Sequence, residues 1–336
     1  MADLQTSYLG IALKNPIIAG ASDLTADLDG IRRIEEAGAG AIVLKSLFEE
    51  QIQLERFKLA EDFSRGEARY AEMATIFPKL EHAGPKEHLM GVRAAKAAVK
   101  VPVIASLNCV NRATWVEYAK ALADESVDAL ELNFFATPRD PEVSGTRVEE
   151  EQLEIVRAVK AAVALPVSVK LSISYSNLLN FISRLDREGV AGVVLFNRFF
   201  QPDIDPLRES IGLPFNFSHP VESRLPLRFA GLLFGRIKAD VCASTGIMSG
   251  TDAARMLLAG SSAVQVVTAL YRAKVGAIAK MVADLGAWMD GKGYRTLADF
   301  RGSLSEKNAE DSWAYTRAQY AKMLLNPKQF IEEVGT

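Results

Sequence analysis

The chain has 336 residues, of which 49% are hydrophobic and 24% charged, with a formal charge of −3. That balance offers no basic field for a phosphate backbone, so no nucleic-acid partner is expected. The two cysteines, Cys109 and Cys242, form no C-x-x-C pair, which excludes a disulfide framework and a cysteine-held cluster or zinc site. The first residues carry no leader pattern, and the longest apolar runs fall short of the about 18 residues of a membrane span. A soluble, cytoplasmic protein with reduced thiols and no membrane contact is expected.

Short apolar, β-rich runs recur in chain order at Pro16–Ala21, Ala41–Lys45, Val101–Leu107, Ala129–Phe134, Pro166–Leu171, Gly192–Phe196, Val241–Ala243 and Ala263–Val267. Runs without polar alternation fit the strands of a parallel sheet covered on both faces. Helical stretches separate them at Asp27–Ala37, Leu89–Val99, Thr114–Ala123, Val148–Val163, Asn177–Glu188, Thr251–Leu258 and Lys274–Met289, with start signals read at Thr114 (Glu117 three residues on) and at Thr251. Eight such units predict a single (β/α)8 TIM barrel over residues 1–336. A doubly wound sheet would carry a G-x-G-x-x-G turn after the first strand, and none is present.

Two connections are too long for ordinary βα loops: Leu47–Glu87, rich in mixed charge, and Arg198–Arg236, with five prolines. Both follow strand C-termini, so both are expected as insertions on the face where barrel active sites form. A helical extension is expected over about 303–336.

In a barrel, residues at the strand C-termini converge on one mouth. Here they are Ser22, Lys45, Ser46, Asn108, Asn133, Lys170, Asn197, Ser244-Thr245-Gly246 and Thr268. Lysines and asparagines ending apolar strands are costly to bury alone, so the set points to a polar ligand. Small residues after the seventh run, with Thr268 after the eighth, suit a phosphate held by backbone N–H groups. The histidines His82, His88 and His219 show no metal spacing, and no metal is expected. Carboxylate clusters such as Glu49-Glu50 and Glu149-Glu150-Glu151 read as solvated helical faces.

Several segments together resemble the dihydroorotate dehydrogenase family of FMN-containing barrels over nearly the whole chain. They are Asn15 to Ser22, Ala37 to Ala41 leading to Lys45-Ser46, Ala129 to Asn133, Val169 to Leu171, Ser244 to Ile247, Gly291 to Tyr294 and Ala298 to Gly302. Ala105 to Leu107 and Trp115 to Asn133 are also similar to the flavin domain of dihydropyrimidine dehydrogenase. The resemblance implies FMN as cofactor. Ser22, Lys45, Asn133, Lys170 and Asn197 would hold the flavin ring and ribityl chain, and Ser244, Thr245, Gly246 and Thr268 its phosphate. Ser46 and Asn108 are further cofactor candidates. Lys45, Asn133, Asn197 and Arg198 are candidate substrate contacts, and Lys45 and Thr137 candidate catalytic groups.

The segment Asn133 to Arg139 departs from the family's Ser-Cys-Pro-Asn loop, whose Cys or Ser takes a proton from carbon five of dihydroorotate. Without a gap Ala136 stands at the base position; anchored on Pro138, Thr137 does. The family's Met-Gly-Leu-Pro-Asn segment is missing, and Arg198 stands where a small hydroxyl residue is usual. The reading is therefore a flavin oxidoreductase of dihydroorotate or a related small planar substrate, in pyrimidine biosynthesis. A reductase of another unsaturated carboxylate or imide, or a flavin-binding barrel without turnover, stays open. The expected partners are a soluble electron acceptor or a partner reductase subunit, with a homodimer possible.

Overall fold

A computed structural model describes residues 2–54, 85–135, 138, 140–198, 200–212 and 216–327. Eight parallel strands form the barrel: β1 (Ile17–Ala19), β2 (Ala41–Val43), β3 (Val103–Asn108), β4 (Ala129–Asn133), β5 (Val167–Leu171), β6 (Gly192–Leu195), β7 (Asp240–Ser244) and β8 (Ala263–Val266). Each pairs with the next, β8 pairs with β1, and Val264 stands opposite Ile17, so the sheet closes on itself. All eight expected runs are strands of this (β/α)8 barrel.

Helices return the chain outside it: α1 (Leu28–Glu36), α2 (Pro85–Ala98), α3 (Arg112–Asp124), α4 (Gly145–Ala162), α5 (Leu178–Arg187), α6 (Arg224–Leu233), α7 (Gly250–Ala259) and α8 (Ala277–Lys292). Their apolar faces pack on the outward-facing strand residues, among them Ile42, Leu130, Leu132, Val169 and Val193. The start of α7 lies before the expected Thr251. Ser249 caps it, accepting from the Asp252 N–H at 3.2 Å while the Asp252 carboxylate accepts from the Ser249 hydroxyl at 2.9 Å.

Alternation along each strand sorts side chains into the interior or the helical shell. At the N-terminal end, a hairpin of Thr6–Tyr8 and Ile11–Leu13 plugs the barrel, its Tyr8, Leu9 and Leu13 packing with Ile18, Ile104, Ala129, Val194, Cys242 and Ala263. Toward the other end the interior positions become Glu131, Lys170, Gln265 and Asn133, all buried. Apolar below and polar above, the barrel is built to hold something at its C-terminal mouth.

Both long connections leave from that mouth. Of the first, Leu47–Phe48 adds a short strand to β3, and residues 55–84, including His82, lie outside the described residues. The second is shorter as an insertion than its sequence span suggests, because α6 occupies Arg224–Leu233 within it. Pro226 falls in the first turn of α6, where no N–H is needed, so it does not break the helix. Ahead of α6 lie a hairpin (Asp203–Asp205 with Ser210–Gly212) and a turn at Pro220–Ser223. In the C-terminal extension, Arg228 holds the Tyr315 carbonyl at 2.9 Å and also bonds Gln319, and a helix follows at Arg317–Leu325. Residues 328–336 lie outside the described residues. No helix among the described residues is long and apolar enough to cross a membrane.

Glu49 overturns the solvated-face reading. It is 2% exposed, and its carboxylate accepts from the Val110 and Asn111 backbone N–H groups at 2.5 and 2.8 Å and from the Asn111 side chain. These bonds anchor the residues that lead into α3, which begins at Arg112 rather than at the expected Thr114. Thr114 instead gives its hydroxyl to Glu49 at 3.4 Å. Burial alone would raise the Glu49 carboxyl, but the donated hydrogen bonds outweigh it and bring it below its ordinary 4.5. Glu49→Gln is expected to cost about 1–3 kcal/mol at neutral pH, since two backbone donors lose a charged acceptor. Because the folded carboxyl titrates below the unfolded one, that stability is complete above 4.5 and is lost as pH falls through the folded value. Denaturation midpoints of both proteins should therefore converge on acidification; a difference that stays constant would remove the carboxylate from this role.

Candidate active site

At the C-terminal mouth lies a cavity of about 590 Å³. Ser22, Lys45, Ser46, Asn108, Asn133, Lys170, Asn197, Arg198, Ser244, Thr245, Gly246 and Thr268, which reach it from all eight strands and the loops after them, all line it. A larger cavity of about 900 Å³ lies behind the wall of Phe196, Asn197 and Arg198, bounded by α6 and the turn around Tyr315. Of the strand ends it touches only those of β5, β6 and β7, and of the expected residues only Asn197, Arg198 and Thr245 line it. The catalytic candidate Thr137, like Ala136 and Arg139, lies outside the described residues.

The lining divides by strand. On the β1 and β2 side, Lys45 Nζ stands 2.6 Å from the Asp23 carboxylate, an anion that the strand-end reading missed because it follows Ser22 by one residue. The Ser46 hydroxyl is spent on Ser106 of β3 at 2.7 Å. On the β4 and β6 side, the Asn197 side chain donates to the Asn133 side-chain carbonyl at 2.8 Å. That bond fixes both amides and leaves the Asn133 NH2 and the Asn197 carbonyl without a partner among the described residues, one donor beside one acceptor. Lys170, from β5, gives one N–H to Gln265 at 3.3 Å and lies 3.8 Å from Glu131.

At the β7 and β8 ends the donors are hydroxyls and a backbone N–H. Ser218, brought in by the second long connection, gives its hydroxyl to Thr268 at 2.8 Å and accepts from the Gly246 N–H at 3.3 Å. In sequence Ser218 shows only as the end of an idle Asn-Phe-Ser sequon, with no signal for a site role; the return of the connection places it there. Gly246 has φ +75, and a Cβ on it would meet the Ser223 nitrogen at 2.5 Å and the His219 carbonyl oxygen at 2.8 Å. Glycine is thus required by the turn and by the chain packed against it, in addition to the close approach a phosphate would need. Thr245 also lies at positive φ, +81, a conformation costly for a β-branched residue, and its hydroxyl donates to the Phe196 carbonyl at 3.0 Å. Its hydroxyl therefore serves the loop, leaving its backbone for a ligand.

Arg198 reaches the cavity but is largely engaged. Its Nε donates to Glu222 at 3.0 Å and its Nη1 to the Asn216 carbonyl, which ties the end of β6 to the second connection. Nη2 is left without a partner among the described residues. Phe48, Val110, Phe135, Phe200 and Phe217 add apolar surface around these polar groups. A volume of this size, mostly apolar walls and a few convergent donors and acceptors are the features of a small-molecule site.

No family model matches the chain. Among known proteins, it is 26% identical over 312 residues to the dihydroorotate dehydrogenase B (NAD(+)) catalytic subunit of Thermoplasma acidophilum, covering 90% of this chain and 99% of that one. It is 28% identical over 309 residues to the subunit of the same name from Pyrococcus abyssi, covering 89% and 98% of the two chains. It is also 31% identical over 207 residues to dihydroorotate dehydrogenase A (fumarate) of Lacticaseibacillus paracasei, covering 57% of this chain and 67% of that one. With the closed barrel and the polar mouth, these similarities show that the chain belongs to the dihydroorotate dehydrogenase family.

Proposed function

We propose that the protein is an FMN-dependent oxidoreductase that converts dihydroorotate, or a closely related small planar substrate, to its unsaturated product. The observation that carries this reading is the convergence of every expected cofactor residue on the one cavity at the strand ends. The site fits the cofactor: the Gly246 N–H and the Ser218 and Thr268 hydroxyls, which bond one another in this structure, are donors that a single phosphate would take over, beside a glycine whose Cβ has no room. Thr245 would add backbone contact there, with Ser244 beside it. No dinucleotide turn is present to hold a pyrophosphate, which favours FMN over FAD.

Oxidising a CH–CH bond removes a hydride and a proton, and FMN when bound would supply the hydride acceptor. The chain's own groups do the rest. Lys170, at the cavity floor, would supply positive charge to offset the negative charge that develops on a flavin as it is reduced. Ser22, Ser46, Asn108 and Lys45 would hold the ring and ribityl chain from the β1 to β3 side. The Asn133 donor and Asn197 acceptor match the alternating edge of a cyclic imide or ureide. Thr137 would pass the proton from substrate carbon to water, since its hydroxyl alone is hardly ionised near neutral pH. Arg198, with Nη2 open, specifically favours the second reading, a different unsaturated carboxylate or imide as substrate. Two of the relatives above are named as catalytic subunits; by that likeness, electrons would leave to a soluble acceptor or a partner reductase subunit.

Purified protein is expected to be yellow, to release FMN by mass spectrometry, and to bleach anaerobically when dihydroorotate is added. Bleaching only by another reductant would move the substrate to the second reading, and stoichiometric FAD would contradict the cofactor. Gly246→Val should lose the flavin and lower the melting temperature, because it sets a branched side chain at positive φ against Ser223. Retained flavin at full occupancy would remove this loop from the phosphate site. Thr137→Ala should lower kcat by about 10²–10⁴-fold with little change in substrate affinity. If turnover is unchanged, Ala136 occupies the base position and dihydroorotate is abandoned as the leading substrate.

A further inference from the structure

Beneath the cavity floor an acid is buried in the barrel. Glu131, in the middle of β4, is 1% exposed, and Gln265 of β8 is equally buried. The Gln265 amide donates to Glu131 Oε2 at 2.5 Å, while its carbonyl accepts from Lys170 Nζ at 3.3 Å. Glu131 Oε1 has no hydrogen-bond partner and stands 3.8 Å from the same ammonium. Lys170 and Gln265 both line the cavity, Glu131 does not, and Lys170 is the one cation of the three. One of its three N–H groups goes to Gln265, and the other two have no hydrogen-bond partner among the described residues.

The surrounding groups leave this pair to itself. Below it are Tyr8 of the plug and Cys242 of β7, whose phenol and thiol are pushed well above their usual range, by burial first and with Glu131 contributing to both, so both stay neutral. Across the cavity, Lys45 is already paired with Asp23. β6 and β8 bring Asn197 and Gln265, neither of them titratable. Glu131 is therefore the counter-charge of Lys170. An ion pair kept only for stability gains little over apolar packing of the same volume. This one leaves a carboxylate oxygen without a hydrogen bond and an ammonium with spare donors at the edge of a ligand cavity.

Resting on the FMN reading above, we propose that Glu131 is a positioning residue that, directly and through Gln265, keeps Lys170 charged and aimed at the cavity floor. In that way it sets how much more tightly the site binds reduced than oxidised FMN. Glu131 itself touches no cofactor. Without the carboxylate, the ammonium is buried with no partner charge and gives up its proton as pH rises.

The test compares wild type with Glu131→Gln, which is nearly isosteric, by the affinities of oxidised and reduced FMN at mildly acidic and alkaline pH. Wild type should keep its preference for reduced FMN at both. The variant should keep it in acid and lose at least tenfold of it in alkali, about 30 mV for a two-electron couple. An unchanged preference, or one that rises at every pH because an opposing negative charge is gone, overturns the proposal. In the apoprotein, acetic anhydride should acylate Lys170 at least tenfold faster in the variant, since only the free amine reacts, as read by peptide mass spectrometry; equal rates also overturn it. Should wild type bind no FMN, the cofactor reading fails and the acylation rates alone decide this one. If Glu131→Gln does not fold, Gln265→Met, which removes the bridge and keeps the carboxylate, should weaken the preference several-fold at every pH, and no weakening overturns the proposal.

Discussion

Closure of eight parallel strands is the constraint on which the rest of this molecule depends. Once β8 pairs with β1, every second residue of each strand must enter a shared interior too narrow for water. The lower half of that interior is filled by small apolar residues and by the Tyr8 to Leu13 plug. The upper half takes Glu131, Lys170, Gln265 and Asn133, which can be buried only because they bond one another or face the cavity. The same alternation that makes a stable barrel thus collects polar groups from strands distant in sequence at one mouth. In register, Asn133 stands opposite Lys170 and Ser244 opposite Gln265.

The long connections complete what the strands begin. Glu49 ties the first to the start of α3, beside the cavity residues Asn108 and Val110. The second is pinned at two places: Arg198 to Glu222 and Asn216 at the β6 end, and Ser218 to Thr268 and Gly246 at the β7 and β8 ends. A cavity bounded this way can change with the loops while the strand-borne groups stay in place. That accords with a chain that resembles its family at the strand-end residues proposed to face the cofactor yet differs at Arg198 and in the segment from Asn133 to Arg139.

Much was legible in the sequence, because the barrel writes itself as apolar runs at regular spacing and because a polar residue ending such a run has few explanations. The eight strands, their order and the residues at their C-termini follow from that pattern alone. So did the family resemblance, carried by Asn15 to Ser22, Ala129 to Asn133 and Ser244 to Ile247.

Tertiary structure decided the rest. Glu49-Glu50 looks like any charged pair until the chain returns α3 beside it, and Ser218 is one serine in a proline-rich stretch until it meets Thr268. Pro226 is one of five prolines in a long connection until it takes its place in the first turn of α6, where it is harmless. Glu131 and Gln265 sit inside runs that read as apolar and do not stand out there, and their meeting with Lys170 depends on which strands face one another across the barrel. Propensity and periodicity act over a few residues and are written locally, whereas a hydrogen bond between residues 134 positions apart exists only once closure has brought β4 and β8 to face one interior.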